Sequence, residues 1–219
     1  MLFFFANSLT KWSICVIISF RNMQKRKDTL SRRNQISSAA RKLIVRYGSE
    51  HVTVRRIANE IGVTEGAIYR HFKSKKDILI LLVDDVEQTL IEDVRNSDQG
   101  ELNSLEVLTR IIKLHMSAIE QKKGIAFQVI AEIISLGDKK LNNKVYEVIN
   151  KYIDSIKAIL AEGVRSGIIR SDIDLNAAAR LFFSMTQGLV NIWALRQYEF
   201  NLEQEYSPIW EVFLKGIAA

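Results

Sequence analysis

The stretch Thr53-Val-Arg-Arg-Ile-Ala-Asn-Glu-Ile-Gly-Val-Thr-Glu-Gly-Ala-Ile-Tyr-Arg-His-Phe-Lys-Ser-Lys-Lys76 reads as two short helices joined by a tight turn. Thr53 can cap the first, its hydroxyl accepting from a free N–H of the opening turn. Val54, Ile57, Ala58 and Ile61 then recur at i, i+3, i+4 and i+7, one apolar helical face. Gly62 follows, where a helix ends most readily in a left-handed residue, and Val63 is an apolar plug. Thr64 is a second N-cap, with Glu65 placed to suit the positive end of the helix dipole. Ile68 and Phe72 form the inward face of the second helix, so Gly66 and Arg70 point the opposite way, with Tyr69 and His71 on the flanks. Ser74 and Asp77 form a capping-box pair that opens a third helix. This is the pattern of a helix-turn-helix, whose second helix can enter a DNA major groove. Spacing alone also admits an ordinary helical hairpin.

Upstream, Ser31 can cap a helix running to about Tyr47, with Ile36, Ala39, Ala40, Leu43, Ile44 and Tyr47 on its inner side and Gly48 at its end. It supplies the third wall that two short helices need. Downstream, a helix from Lys75 to about Val94 buries Ile78, Leu79, Leu82, Val86, Leu90 and Val94. A turn-rich connection over 96–100 leads to a helix over about 102–121, with Leu108, Ile111, Ile112 and His115 on one face. Residues 125–136 form an apolar helix expected to be buried on several sides. A long helix over 141–166 follows, and Asp174 caps another over about 175–197, whose inner residues include Leu181, Phe182, Met185, Leu189, Ile192 and Trp193. A last helix is expected to start at Pro208, a residue favoured in a first turn. With a single Pro and no alternating pattern, the chain is read as all-α, about nine helices: a three-helix head and a larger C-terminal helical bundle.

Charge separates these two parts. Residues 24–76 hold 14 Lys and Arg against four acids, an excess of +10, whereas 77–219 carry −6 within a total of +6. A basic module on an acidic one is the footprint of a polyanion-binding head joined to a body with another task.

Residues 1–23 differ from the rest. Their apolar run, broken by Lys11, falls short of a membrane span and lacks a clear signal-peptide layout. The favoured reading is that translation starts at Met23, leaving the first 22 residues outside the natural chain; a tail and a membrane anchor are the alternatives. The domain boundaries are therefore 1–23, 24–74 and 75–219. The one cysteine, Cys15, permits neither an intramolecular disulfide nor a cysteine-based zinc site, in keeping with a cytoplasmic, reducing setting.

The segment from about 33 to 79 resembles the DNA-binding domain of the TetR/AcrR family of bacterial transcriptional regulators. The residues that carry the resemblance are Ala39-Ala40, Leu43, Tyr47-Gly48, Thr53 to Ala58, and above all Ile61 to Lys75 with its Tyr69-x-His71-Phe72 and Ser74-Lys75. The resemblance implies a dimeric repressor on a palindromic double-stranded operator, released when a small molecule enters the body. It also implies roles. Thr53 and Thr64 would meet phosphates at helix starts, and Tyr69, His71 and Lys75 would clamp the backbone. Arg55 would reach a base edge, and Gly66, Ala67 and Arg70 would lie along the groove. Glu65 either accepts from cytosine N4 or is only a helix-start residue.

The body is less legible. His115 interrupts an apolar stripe as a core histidine, a polar handle in a ligand cavity, or, least of all, a metal ligand. Gln128 and Glu132 pose the same question, and Phe127 and Trp193 are either cavity lining or plain core. Met185, Leu189, Arg196, Trp210 and Phe213 are the candidates for a homodimer interface built from the last two helices. Asp84 and Asp85 read as a solvated face. The three histidines form no metal set, and there is no phosphate loop, nucleophile–base spacing or buried carboxylate pair. The chain is thus read as a regulator and not an enzyme, without cofactor or metal and without expected membrane association. The alternative is a DNA-binding adaptor or architectural protein without effector.

Overall fold

A computed structural model describes residues 31–48, 51–97, 100 and 102–219. The expectations for residues 1–23 and for the basic arm 24–30 lie outside the described residues. Those residues form nine helices and no strand: α1 (31–47), α2 (Val54–Glu60), α3 (Glu65–Tyr69), α4 (Lys75–Ser97), α5 (Ser104–Gln121), α6 (Ile125–Leu136), α7 (Lys139–Arg165), α8 (Leu175–Leu195) and α9 (Leu202–Ile217).

Helices α1 to α3 make the head. Ile36, Ala39, Ala40, Leu43 and Ile44 of α1 are buried in one core with Val52, Ile57, Ala58, Ile68 and Phe72. The turn between α2 and α3 is set by Gly62 at φ +69°, and the Val63 N–H donates to the Ala58 carbonyl at 2.9 Å. Tyr47 departs from expectation. It is exposed, with the guanidinium groups of Arg46 and Arg56 over its ring at 5.4 and 5.5 Å. At the last turn of α1 its ring has passed beyond the core and stacks on cations instead.

The body packs α4 against α5, α6 and α7, while α7 and α8 form another close pair and α9 closes over α5 and α8. Asn103 caps α5 through a complete capping box with Glu106, so the helix starts at Ser104 rather than at Leu102. Asp138 caps α7, which starts at Lys139, two residues ahead of the expected start. Gly163 is needed where α7 meets the next loop, because a Cβ there would lie 2.4 Å from Ile169 Cδ1 and 3.0 Å from Ser104 Cβ.

Two expectations are corrected. Pro208 lies inside α9, not at its start: Asn201 caps the helix by accepting from the Gln204 N–H at 2.8 Å, and Leu202 and Tyr206 are already buried. A good cap with two acids in the first turn outweighs the single N–H that Pro removes. Helix α6 is not buried all round. Ile125, Val129 and Ile133 face the core, but Ile134 is 66% exposed and Leu136 is exposed too, because neighbours cover only one face.

Candidate nucleic-acid interface and ligand cavity

Most of the head residues singled out for DNA lie on its exposed surface. Thr53 and Thr64 are both N-caps, each hydroxyl oxygen accepting a backbone N–H at 3.2 Å, from Arg56 and Ala67 respectively. Each hydroxyl still has its own proton to donate. Arg55, Glu65, Gly66 and Arg70 are exposed, Ala67 and His71 are half-buried, and Tyr69 is 51% exposed. Ile68 and Phe72 anchor this surface from below, with Arg33 stacked on Phe72 at 5.2 Å. Nine of the ten residues singled out for DNA thus lie in the head and are at least partly exposed. The tenth, Lys75, is turned toward the body: its ammonium lies 2.7 Å from Glu132 of α6.

That pair belongs to a set of ties between head, α4 and body. Asp77 accepts the N–H groups of both Lys73 and Ser74 and so fixes the start of α4. Lys76 pairs with Asp138, the cap of α7, whose carboxyl is held below the usual range mainly by that hydrogen bond. Farther along, Asp85 accepts Ser37 Oγ at 2.6 Å and pairs with Arg41, both from α1. Asp84 pairs with Lys144 at 2.9 Å. The reading of Asp84 and Asp85 as a merely solvated face is therefore corrected. Two adjacent carboxylates tie α4 to α1 and α7, and a helical wheel cannot reveal which neighbours approach it.

Above these ties lies a cleft of about 470 Å³ between α4, α5 and α6. Arg41, Asp85, Glu92 and Lys122 border it together with Leu82, Val86, Leu90 and Phe127. A second, nearly wholly apolar space of about 30 Å³ lies among α4, α6, α7 and α8, lined by residues such as Val83, Ile130, Val145 and Phe183. His115 and Phe127 border both spaces. Charged and hydrogen-bonding groups at a mouth and an apolar recess within suit an amphiphilic small molecule.

His115 is 8% exposed; its Nδ1 lies 3.3 Å from Asp93 Oδ2, and its ring stacks on Tyr152 at 5.9 Å. Asp93 was missed in the sequence, since it lies off the apolar stripe of α4. Its distance of 22 positions from His115 leaves no local signal. The other pocket candidates point elsewhere. Gln128 donates to Tyr198 Oη at 2.9 Å and to the Lys123 carbonyl at 3.2 Å. Glu132 holds Lys75. Trp193 is buried, donating Nε1–H to the Phe200 carbonyl at 2.9 Å. Each spends its polar group on structure.

The interface candidates also divide. Leu189, Trp210 and Phe213 are buried within the chain, where Trp210 stacks on Phe213 and both meet Phe182. Met185 is half-buried and Arg196 exposed. The exposed apolar residues of these helices are Leu181, Ile192, Leu195 and Val212, the last two 83% and 72% exposed.

Fold and site together define a helix-turn-helix regulator with a cleft in its helical body. Residues 36–82 match the model of bacterial regulatory proteins of the tetR family, and residues 84–216 match that of the C-terminal region of YsiA-like proteins. The chain belongs to the tetR family and is a ligand-responsive, DNA-binding transcriptional regulator, not an enzyme. It is 28% identical over 183 residues to the fatty acid metabolism regulator protein of Bacillus subtilis (strain 168), covering 84% of this chain and 94% of that one. The crystal structure of the transcriptional regulator FadR from Bacillus subtilis in complex with stearoyl-CoA superposes with a TM-score of 0.74 at 28% identity, covering 84% of this chain and 98% of that one. The nucleoid occlusion factor SlmA of Idiomarina loihiensis (strain ATCC BAA-735 / DSM 15497 / L2-TR) is 25% identical over 182 residues, covering 83% of this chain and 93% of that one. Among the described residues, no helix is long and apolar enough to cross a membrane.

Proposed function

We propose that this regulator is a homodimeric repressor that binds a twofold-symmetric operator and is released by a fatty acyl thioester such as an acyl-CoA, within the cytoplasm. The observation that carries this reading is the cleft of about 470 Å³ with its apolar recess, set against the helix that begins where the head ends. An acyl chain supplies the apolar part of such a ligand and its carrier the polar part. The similarity to a regulator solved with stearoyl-CoA supports the same class.

Dimerisation follows from binding energetics. One short recognition helix contacts few bases, whereas two related by a twofold axis read half-sites roughly 34–36 Å apart. Leu181, Ile192 and Leu195 of α8 and Val212 of α9 supply an exposed apolar surface for the partner. In this reading Met185 and Arg196 flank that surface, while Leu189, Trp210 and Phe213 support it from within. Arg55 and Arg70 read bases, and Thr53, Thr64, Tyr69 and His71 hold phosphates.

The ties described above give the ligand a route to the head. Arg41 and Asp85 border the cleft and join α1 to α4, and α6, which lines the cleft, holds Lys75. The ligand acts only to the extent that it prefers the state unable to bind DNA, since equal affinity for both states shifts nothing. An adaptor without effector leaves the cleft without a use.

A mobility-shift assay with the DNA flanking the regulator's own gene tests the reading. A shift that requires a symmetric sequence and is reversed by stearoyl-CoA is expected. Stable binding unaffected by acyl-CoAs of any chain length overturns the effector assignment.

A further inference from the structure

Two helices of the body end in the same way. After α5, the Gly124 N–H donates to the Ile119 carbonyl at 2.9 Å and the Lys123 N–H to the Glu120 carbonyl at 3.1 Å. After α8, the Tyr198 N–H donates to the Trp193 carbonyl at 2.9 Å and the Gln197 N–H to the Ala194 carbonyl at 3.0 Å. Each is a Schellman turn, in which the residue just past the cap is left-handed and usually glycine. Here that residue is Lys123, at φ +49°, and Gln197, at φ +55°, with Tyr198 following at φ +66°. Residues other than glycine keep this conformation only where their surroundings hold them in it.

What holds the α8–α9 turn is the α5–α6 turn. Gln128 Nε2–H donates to Tyr198 Oη at 2.9 Å and to the Lys123 carbonyl at 3.2 Å, so one amide joins the two left-handed segments. The Leu202 N–H, at the start of α9, donates to Glu120 Oε1 at 3.4 Å. Trp193 backs the contact: its ring meets that of Tyr198 edge-on at 4.8 Å, and a Cβ on Gly124 would lie 3.8 Å from it. The joined turns have different outer neighbours. Lys122, Gly124 and Phe127 border the cleft. Ile192, Leu195 and Arg196, all exposed, stand at the end of α8 directly before Gln197.

We propose that these two turns form a strained joint through which the mouth of the cleft sets the strength of self-association. This rests on the homodimer reading above and deepens it. The α8–α9 turn stays left-handed without glycine because the α5–α6 turn grips it through Gln128 and Glu120. Its conformation in turn fixes the end of α8 that meets the partner. A displacement of the α5–α6 turn by an occupant of the cleft weakens that grip and reaches the association surface directly. This path is separate from the ion pairs that tie α4 to the head.

The test measures the dimer dissociation constant of the full chain by sedimentation equilibrium. The variants are Tyr198→Phe, Gln128→Met, these two combined, and Tyr198→Phe combined with Gln197→Gly. Each single variant cuts the Gln128–Tyr198 hydrogen bond from one side and is expected to weaken the dimer about five- to tenfold. Both together are expected to do no more than either alone, because they remove the same bond. Gln197→Gly makes the left-handed turn free of strain, so it is expected to restore the dimer of Tyr198→Phe. A dimer unchanged by both single variants overturns the proposal. So does a weakening that Gln197→Gly fails to restore, which would mark a general loss of packing. Stearoyl-CoA, with its binding followed by calorimetry, is expected to weaken the wild-type dimer severalfold and to leave that of the Tyr198→Phe, Gln197→Gly variant nearly unchanged. Bound stearoyl-CoA that shifts both equally, or neither, also overturns the proposal. Stearoyl-CoA that does not bind refutes the effector assignment, and the ligand-free variants still decide the joint. A wild type that is monomeric at every concentration sinks the homodimer reading and the proposal together.

Discussion

Arg55 and Tyr69 are both exposed residues of the head, and in the proposed reading they meet different parts of DNA. Arg55 follows the Thr53 cap near the start of α2, where a guanidinium can bind guanine O6 and N7 together. Arg55→Ala should therefore cost about 1–3 kcal/mol at particular base pairs and little on DNA altered there, as measured by affinity across single-base variants of the operator. Tyr69 has a half-exposed ring and a hydroxyl able to donate to phosphate. Tyr69→Phe should weaken binding to all sequences about equally; a changed sequence preference would reassign it to base readout. At this scale the head was legible, because caps and apolar spacing are local: Thr53, Gly62 and Thr64 each act on residues within a few positions. Gln128, Glu132 and Trp193 were not, because the partner of a polar atom is set by packing between distant segments. Lys75 shows the same limit, since its partner lies 57 positions away.

Helix α4 joins the two halves: it follows the head directly, and its length lines the cleft. Because Glu132 holds the Lys75 ammonium at 2.7 Å, Glu132→Gln should leave that cation more available to phosphate and tighten DNA binding severalfold at low salt. Lys75→Ala should weaken binding and reduce the salt slope by about one. If both weaken DNA binding equally, the pair acts only as a structural joint. Farther down, Glu87 joins α4 to α7 through Lys151 at 2.6 Å and Lys144 at 3.5 Å. Its hydrogen bond with Lys151 is the main cause holding its carboxyl below the usual range. A carboxyl whose pKa is lower folded than unfolded stabilises above the unfolded value, about 4.3, and loses that contribution as pH falls through the folded value. Glu87→Gln should accordingly cost about 1 kcal/mol or less at pH 7, with the gap in urea midpoint closing below about pH 4. The start of α9 is hard to read from sequence because Pro208 is a conspicuous signal and Asn201 a quiet one. The composition of α6 says how apolar it is, not how many of its sides are covered.

For the whole molecule, charge and chain order were legible: the basic excess lies in the head, and the acidic body follows. The association surface was only half legible. A stripe of apolar residues along a helix does not say whether it faces its own core or another copy. Leu181 and Ile192 read as inner residues and are more than half exposed, while Trp210 and Phe213 read as interface and are core. Ile192→Glu puts a charge in the middle of the exposed stripe. It should yield a monomer by sedimentation and lose affinity for the full operator much more than for a single half-site. A stable dimer would move the interface elsewhere.

The central claim is that one ligand cleft and one DNA-binding head are two ends of the same equilibrium. Binding free energies linked in this way are reciprocal. The most direct test is the dissociation constant of stearoyl-CoA measured calorimetrically with and without saturating operator DNA. The expected result is that DNA weakens stearoyl-CoA binding by the same factor by which stearoyl-CoA weakens DNA binding. Stearoyl-CoA affinity that is the same in both conditions would contradict it.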